Sequence, residues 1–382
     1  MLASDTIALY LHWPYCISKC NYCAFNSIAT SNPDHQSWRR AILKELHHEA
    51  LSLRGRKLSS IYFGGGTPSL IPTQYLQEII ELAVQYWPND DIEITLEANP
   101  ATVDQEKLPG CLSAGVNRLS IGVQSFNNDL LSFLGRKHTG EQAEEAFLMA
   151  RKAGFSNISL DLIFAVPGQT ELMLNHDLDR VTALNPQHIS VYQLSLEENT
   201  KLYQDHISGL FKLLDEDVVL RQFDIVHKKL TKAGYRHYEV SNFAKPGYES
   251  RHNLAYWKYQ EYLGLGPGAH SRVIKDGEVL AMERASDIQV WAADPIGSTR
   301  TSKLSKTEIF NEILIMGLRT AEGISITDLA KKVGAQGTDE FLASSAVQEL
   351  IGLGMLKKDS NYLRIPECHR LKTDAIERAC LQ

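Results

Sequence analysis

The segment Cys16-Ile17-Ser18-Lys19-Cys20-Asn21-Tyr22-Cys23 places three cysteines in the spacing C-x3-C-x2-C. Soft thiolate ligands suit iron–sulfur chemistry, and three of them can hold three irons of a [4Fe–4S] cluster. The fourth iron then has no protein ligand and can bind a small molecule through an amine and a carboxylate. A zinc site that lacks one ligand is the alternative, but a zinc ribbon needs a second C-x2-C pair and the chain has none. The spacing therefore predicts a cluster at Cys16, Cys20 and Cys23.

The composition of the whole chain is that of a globular protein. Its 382 residues suffice for one large or two ordinary domains, and 43% are hydrophobic while 22% are charged. The net charge of −7 gives no basic footprint, so we expect no nucleic-acid partner. No run of 18 apolar residues occurs, and we expect no transmembrane helix. Cys111, Cys368 and Cys380 are isolated in sequence, which predicts a reducing, cytoplasmic setting. Peripheral membrane contact and a homodimer both stay open.

Six short apolar segments recur in the first half of the chain, each followed by a stretch with helical spacing. They cover residues 7–13, 60–63, 92–98, 118–124, 158–164 and 188–194. Strands that alternate with helices predict a parallel α/β sheet, either doubly wound or closed into a partial (β/α)6 barrel.

Three of these segments carry polar residues at every second position. The polar residues are Glu93, Thr95, Glu97 and Asn99 in the third segment, Ser120, Gly122 and Gln124 in the fourth, and Ser159 and Asp161 in the fifth. A parallel strand covered on both faces should be apolar throughout, so a polar face on several strands predicts a common cavity. An edge position would explain one such strand but not three, which favours the barrel.

The remaining motifs fall where barrel enzymes place their chemistry, in the loops after strands. The cysteines follow the first segment, and Gly64-Gly65-Gly66-Thr67-Pro68 follows the second. Glycines let a backbone approach a ligand closely and present its N–H groups. Most glycine turns are only turns, and it is the position after the strand next to the cysteines that makes this one a candidate ligand site.

Together these motifs resemble the radical S-adenosylmethionine (SAM) superfamily, in which the open iron of the cluster binds SAM. The GGGTP turn, residues 97–100 (EANP) and residues 118–126 (RLSIGVQSF) resemble the oxygen-independent coproporphyrinogen III oxidase family and its haem-chaperone branch. The likeness covers nearly the whole chain and implies a partial (β/α)6 barrel of radical SAM type. It also implies SAM contacts from Tyr10, Tyr22, Gly65, Gly66, Thr67, Glu97, Gln124, Arg136 and Asp161. Aromatic packing is the alternative role for Tyr10 and Tyr22, and a surface ion pair for Arg136.

The rhythm of strands and helices weakens after residue 196, where an amphipathic helix is predicted over residues 215–233. We therefore divide the chain into a barrel (1–240), a connecting region (241–304) and a C-terminal domain (305–382).

The connecting region carries a candidate haem site. Its residues are His252, Asn253, Tyr256 and Trp257. Imidazole binds haem iron, and aromatic rings can cover a flat macrocycle, so His252 is the candidate iron ligand. Alternatively, this segment only anchors the C-terminal domain on the barrel.

The C-terminal domain resembles a small winged helix. One helix face is formed by Ile309, Phe310, Ile313 and Leu314. Ser325 and Asp328 indicate a helix that starts at Ile326, a further helix is predicted over 340–353, and residues 362–365 could form a wing strand. Winged helices often bind DNA, but this region has ten Lys/Arg and eleven Asp/Glu, a local charge of −1. We expect a structural cap or a protein-docking role instead.

Two functions are compatible with the resemblance. An oxidase would use the radical from SAM cleavage to take hydrogen from porphyrinogen propionates and decarboxylate them to vinyls. A haem chaperone would bind haem and deliver it to apo-haemoproteins such as respiratory cytochromes. The oxidases carry a fourth cysteine two residues after the third and a long N-terminal extension, whereas this chain has Phe25 and only 15 residues before Cys16.

The haem-chaperone branch shares both departures and carries the His-Asn-x-x-Tyr-Trp motif. The resemblance therefore predicts a haem chaperone with a [4Fe–4S] cluster and SAM as cofactors, haem as cargo and apo-cytochromes as acceptors. The cysteines alone do not exclude an unrelated radical SAM enzyme, and the sequence assigns no catalytic residue.

Overall fold

The computed structural model describes residues 5–381, and one large sheet of twelve strands organises them. The strands are β1 (Thr6–Trp13), β2 (Tyr15–Cys16), β3 (Ile28–Ala29), β4 (Lys57–Gly65), β5 (Glu93–Ala98), β6 (Arg118–Gln124), β7 (Asn157–Phe164), β8 (His188–Gln193), β9 (Arg236–His237), β10 (Asn242–Ala244), β11 (Tyr262–Leu265), β12 (His270–Lys275), β13 (Glu278–Glu283), β14 (Arg300–Lys303), β15 (Ile324–Ser325), β16 (Lys357–Lys358) and β17 (Tyr362–Arg364). The helices are α1 (His35–Ser52), α2 (Thr73–Tyr86), α3 (Lys107–Ser113), α4 (Asn128–Phe133), α5 (Gly140–Ala153), α6 (Glu171–Leu184), α7 (Lys201–Ile207), α8 (Glu216–Lys232), α9 (Arg251–Trp257), α10 (Ile288–Ala293), α11 (Lys306–Leu318), α12 (Ile326–Val333), α13 (Ala335–Ala343), α14 (Ser345–Gly352) and α15 (Thr373–Cys380).

Six neighbouring strands of this sheet are parallel and follow the order β1-β4-β5-β6-β7-β8. They coincide with the six apolar segments found in the sequence, and helices connect them. The predicted partial (β/α)6 barrel is confirmed. The amphipathic helix expected over residues 215–233 is α8, whose first turn follows Asp215.

Residues 241–304 do more than connect two domains. β11 pairs in parallel with β1, and β10 pairs antiparallel with β8, so this region extends the barrel sheet at both edges. β12 and β13 form a hairpin whose turn residues, Asp276 and Gly277, both have positive φ angles, 51° and 78°. Asp-Gly between two strands is a strong hairpin signal in a sequence.

The main core lies between the sheet and the helices that cover its outer face. Leu9, Leu11, Phe63, Ile121 and Leu160 are fully buried on β1, β4, β6 and β7. These residues alternate with the polar positions of the same strands, so one face of each strand packs against helices while the other faces the barrel interior.

The C-terminal domain packs α11 to α15 around a small antiparallel sheet in the order β15-β17-β16. The predicted helix start at Ile326 is confirmed, since the Ser325 side chain accepts a hydrogen bond from the backbone N–H of Asp328. The single helix predicted over 340–353 is wrong. Ser344 is extended (ψ 147°) and caps a new helix, so that α13 ends and α14 begins there. Within residues 5–381, no helix combines the length and apolarity that crossing a membrane requires.

Candidate functional site

A cavity of about 600 Å³ lies inside the barrel and brings together residues that are distant in sequence. Twelve of the sixteen site residues predicted from the sequence line it: Cys16, Cys20, Tyr22, Cys23, Gly65, Gly66, Thr67, Glu97, Gln124, Arg136, Asp161 and Asn253. The other four, Tyr10, His252, Tyr256 and Trp257, are not among the described residues of its lining. The polar strand faces therefore do share a cavity, while the contact of these residues with SAM stays a prediction.

The loop that carries the cysteines, residues 16–29, is fixed from two sides. On one side, the backbone and side-chain N–H groups of Asn21 donate to the carbonyls of Leu134 (3.1 Å) and Phe133 (3.0 Å) at the end of α4. On the other side, the Asn26 amide donates to the carbonyls of Pro267 (3.0 Å) and Ser286 (2.8 Å). The position of the cysteines thus depends on parts of the chain far away in sequence.

The three cysteines are free thiols whose surroundings suit a cluster. The guanidinium of Arg136 donates to the Cys20 sulfur at 3.4 Å. Burial raises the pKa of the Cys23 thiol, so loading a metal there must release a proton. Among the described residues, no three His, Cys, Asp or Glu side chains are grouped to hold a single metal ion. A cluster does not need such convergence, because each thiolate binds a different iron, and the residues present fit it.

The glycine turn passes so close to the cysteine loop that side chains are excluded. A Cβ atom on Gly65 would lie 2.7 Å from the carbonyl oxygen of Trp13, and one on Gly66 would lie 2.6 Å from that of Tyr15. Gly65 also has a φ of 110°, which L-residues rarely adopt. The N–H groups of Gly66 and Thr67 donate to these same two carbonyls, of Trp13 (2.6 Å) and Tyr15 (2.9 Å), so the turn is fixed directly against the cysteine loop.

Two carboxylates form the polar wall of the cavity. Glu97 accepts hydrogen bonds from the Tyr62 hydroxyl (2.8 Å) and the Gly65 N–H (3.2 Å). Asp161 accepts from the hydroxyls of two serines on its own and the neighbouring strand, Ser159 (3.0 Å) and Ser120 (2.9 Å). Burial raises the pKa of Glu97 to about 7, and the nearby charge of Asp161 adds to the shift. Burial also raises the pKa of Asp161. A cationic ligand would stabilise the ionised form of both.

Arg118 is a buried cation in the cavity lining that was not predicted as a site residue from the sequence. It is 2% exposed, its Nη1 lies 3.4 Å from the Thr95 hydroxyl, and its Nε has no hydrogen-bond partner among the described residues. Arg284, equally buried, instead forms ion pairs with Glu49 (3.0 Å) and Glu45 (3.3 Å). Arg118 stands on the same polar strand face as Ser120, Gly122 and Gln124. The alternation that identified those three residues could therefore have identified Arg118 as well.

The candidate haem motif is divided between different surroundings. His252 is 1% exposed, and its two ring nitrogens are hydrogen-bonded to the hydroxyls of Ser60 (2.9 Å) and Tyr256 (2.8 Å). Burial, together with the charge of Arg118, lowers the pKa of His252 to about 3. Asn253 faces the barrel cavity, whereas Trp257 lines a second cavity of about 710 Å³ beside the C-terminal domain. Both ring nitrogens are engaged in this arrangement; iron ligation by His252 stays a prediction, and so does the alternative role of the segment as an anchor for the C-terminal domain.

Comparison with known proteins agrees with this arrangement. Residues 10–181 match the model of the radical SAM superfamily, and residues 304–367 match that of the HemN C-terminal domain. Proteins named heme chaperone HemW are 40% identical to this chain over 283 residues in Escherichia coli (73% of this chain, 74% of that protein) and 35% identical over 349 residues in Bacillus subtilis (91% and 92%). The chain belongs to the HemW-like family of radical SAM proteins.

This family extends to animals. A Danio rerio protein named radical S-adenosyl methionine domain-containing protein 1, mitochondrial, is 34% identical over 380 residues, which are 95% of this chain and 86% of that protein. Among solved structures, coproporphyrinogen III oxidase (HemN) from Escherichia coli superposes with a TM-score of 0.81 over 98% of this chain and 90% of its own, at 23% identity. That likeness establishes a shared fold.

Proposed function

We propose that this HemW-like protein is a haem chaperone: it binds haem and delivers it to apo-haemoproteins such as respiratory cytochromes. The observation that carries the proposal is its relation to proteins named heme chaperone HemW, at 33% to 42% identity in the relatives compared. The free cysteines fit a reducing compartment such as the cytoplasm.

The barrel would hold a [4Fe–4S] cluster on Cys16, Cys20 and Cys23, with SAM beside it. A reduced cluster of this kind supplies an electron to SAM. The residues of this chain would place the ligands: the glycine turn would let SAM approach the backbone closely, and the Glu97 and Asp161 carboxylates would attract the sulfonium cation of SAM. Arg136 balances the negative charge of the thiolates.

Three exposed apolar side chains on the cysteine loop support the binding of a flat, hydrophobic ligand or of a protein acceptor. Ile17, Phe25 and Ile28 are 61%, 59% and 49% exposed, and Phe25 also lines the mouth of the barrel cavity. Large apolar side chains gathered on one exposed loop mark an interaction surface more often than a free one. Phe25 stands where, by the resemblance described above, the oxidases carry a cysteine.

Oxygen-independent coproporphyrinogen III oxidation is the second candidate function. The fold shared with HemN favours it, but at 23% identity a shared fold does not imply a shared activity. Phe25 and the relatives named as chaperones favour haem delivery instead.

Anaerobic reconstitution with iron and sulfide separates the two functions. We expect the reconstituted protein to bind haem, seen in its absorption spectrum, and to pass it to an apo-cytochrome on mixing. The matched assay supplies coproporphyrinogen III, SAM and a reductant, and we expect no protoporphyrinogen IX. Formation of protoporphyrinogen IX by the cluster-loaded protein, or the absence of any haem binding, would refute the chaperone proposal.

A further inference from the structure

Helix α9 lies across the amino-terminal ends of β4 and β5, and its first turn enters the barrel. The backbone N–H of His252 donates to the carboxylate of Glu93, the first residue of β5, at 3.2 Å. Inside the barrel, the imidazole stacks on the ring of Tyr62, with 4.9 Å between ring centroids and 25° between ring planes. The helix thus closes the end of the barrel that lies opposite the cysteine loop.

Tyr62 connects this imidazole to the proposed SAM site. Its hydroxyl donates to one carboxylate oxygen of Glu97 at 2.8 Å, while the other oxygen accepts from the N–H of Gly65 in the glycine turn. Two donors therefore fix the orientation of the Glu97 carboxylate. One donor belongs to the backbone, and the other stands on a side chain whose ring rests against His252.

His252 has little freedom of its own. Ser60 and Tyr256 engage its two ring nitrogens, and the side chain is buried from solvent. Removing the imidazole would leave both hydroxyls without a partner in a buried setting and would open space beside the Tyr62 ring. Either change lets Tyr62 shift, and the hydrogen bond to Glu97 shifts with it.

We propose that His252 is a positioning residue for the SAM site: it fixes the ring of Tyr62 and, through it, the Glu97 carboxylate that meets SAM. The inference rests on the proposed SAM site and deepens it. It has a consequence for haem. Since the same imidazole would have to leave Ser60, Tyr62 and Tyr256 to reach iron, iron ligation by His252 weakens SAM binding, and SAM weakens that ligation by the same factor.

A double-mutant cycle on the cluster-loaded protein tests this proposal. Tyr62→Phe keeps the ring but removes the hydrogen bond to Glu97, and we expect a loss of about ten-fold in SAM affinity. His252→Ala should lose roughly three- to ten-fold, and the double variant should lose little more than Tyr62→Phe alone, because both changes act on the same contact. His252→Phe keeps a ring against Tyr62 and should recover part of the loss.

The matched control is Arg251→Ala, on the same helix turn but exposed and paired with Asp91 at 2.9 Å. It should leave SAM affinity unchanged. The change that SAM causes in the electron paramagnetic resonance spectrum of the reduced cluster gives a second readout, which a general loss of stability would not reproduce. If His252→Ala does not fold, Ser60→Ala and His252→Phe carry the test.

Three outcomes decide the matter. SAM affinity that is unchanged in the His252 variants, or losses that multiply in the double variant, overturn the positioning role. Loss of haem binding in His252→Ala with normal SAM affinity overturns it as well and assigns the imidazole to iron. A wild-type protein that holds its cluster but binds no SAM refutes the proposed SAM site itself, and the positioning role falls with it.

Discussion

Glu97 should make SAM binding depend on pH. Burial raises the pKa of its carboxyl to about 7 in the free protein, so roughly nine-tenths of the molecules carry the ionised form at pH 8 and one-tenth at pH 6. The sulfonium cation of SAM favours the ionised form, and binding at pH 6 must therefore first remove a proton. We expect the affinity for SAM to fall about ten-fold between pH 8 and pH 6, or about 1.4 kcal/mol.

The assay is SAM titration of the cluster-loaded protein under anaerobic conditions, in calorimetry or equilibrium dialysis. The α-amino group of SAM is itself titratable, so the informative quantity is the ratio of dissociation constants between Glu97→Gln and the wild type. That ratio should be large at pH 8 and approach one at pH 6. A ratio that stays constant over this range would show that Glu97 does not titrate there or does not meet SAM, and the reasoning would be refuted.

The raised pKa of Glu97 also makes the stability of the folded protein depend on pH. Because the folded-state pKa of Glu97 lies above its usual value of 4.5, the contribution of this group to stability is fully present below pH 4.5 and is lost as the pH rises through 7. Glu97→Gln should consequently melt at a higher temperature than the wild type at pH 8, measured without SAM.

Three further predictions concern the cluster and the framework that holds it. Replacing Cys16, Cys20 or Cys23 by Ala should abolish the cluster of about four irons, and a full iron count in all three variants would exclude the assignment. Gly65→Val should block SAM binding, because its Cβ would collide with the Trp13 carbonyl at 2.7 Å; SAM titration, with circular dichroism as the check on folding, measures this. Arg284→Met leaves the buried Glu45 without a cation, while Glu49 keeps Lys275 at 3.0 Å, and should cost about 3–5 kcal/mol in urea unfolding, whereas a cost below 1 kcal/mol would mean that these ion pairs matter little.

Much of the site could be predicted because polar and apolar residues alternate along a strand when one of its faces lines a cavity and the other packs in the core. Glu97 and Asp161 stood out as polar residues in apolar segments, and both line the cavity. Tyr62 escaped notice although it lies on the same kind of face, because the segment assigned there was only four residues long while β4 covers Lys57–Gly65. The alternation was informative, and the bounds of the strand limited its use.

Contacts between distant parts of the chain could not be predicted in this way. Ser60 and His252 are 192 positions apart. Nothing in the local sequence pattern around His252 indicates that its side chain lies inside the barrel. The aromatic residues that follow His252 suggested an open surface for a macrocycle, but Tyr256 turns inward to bond the imidazole. The break between α13 and α14 was also hidden, because Ser344 ends one helix only by capping the next.

The attachment of the cysteine loop bears on how the protein acquires and loses its metal. In a zinc finger the metal folds the chain, so the apo form is disordered. Here Asn26 ties the loop to residues about 240 to 260 positions further along the chain, through bonds that do not involve the cysteine sulfurs. The entropy of bringing the thiols together is thus lost during folding and not during assembly. Oxygen damage would then destroy the cluster but leave the protein folded around its site. Fresh iron and sulfide should restore the cluster without any need to refold the protein.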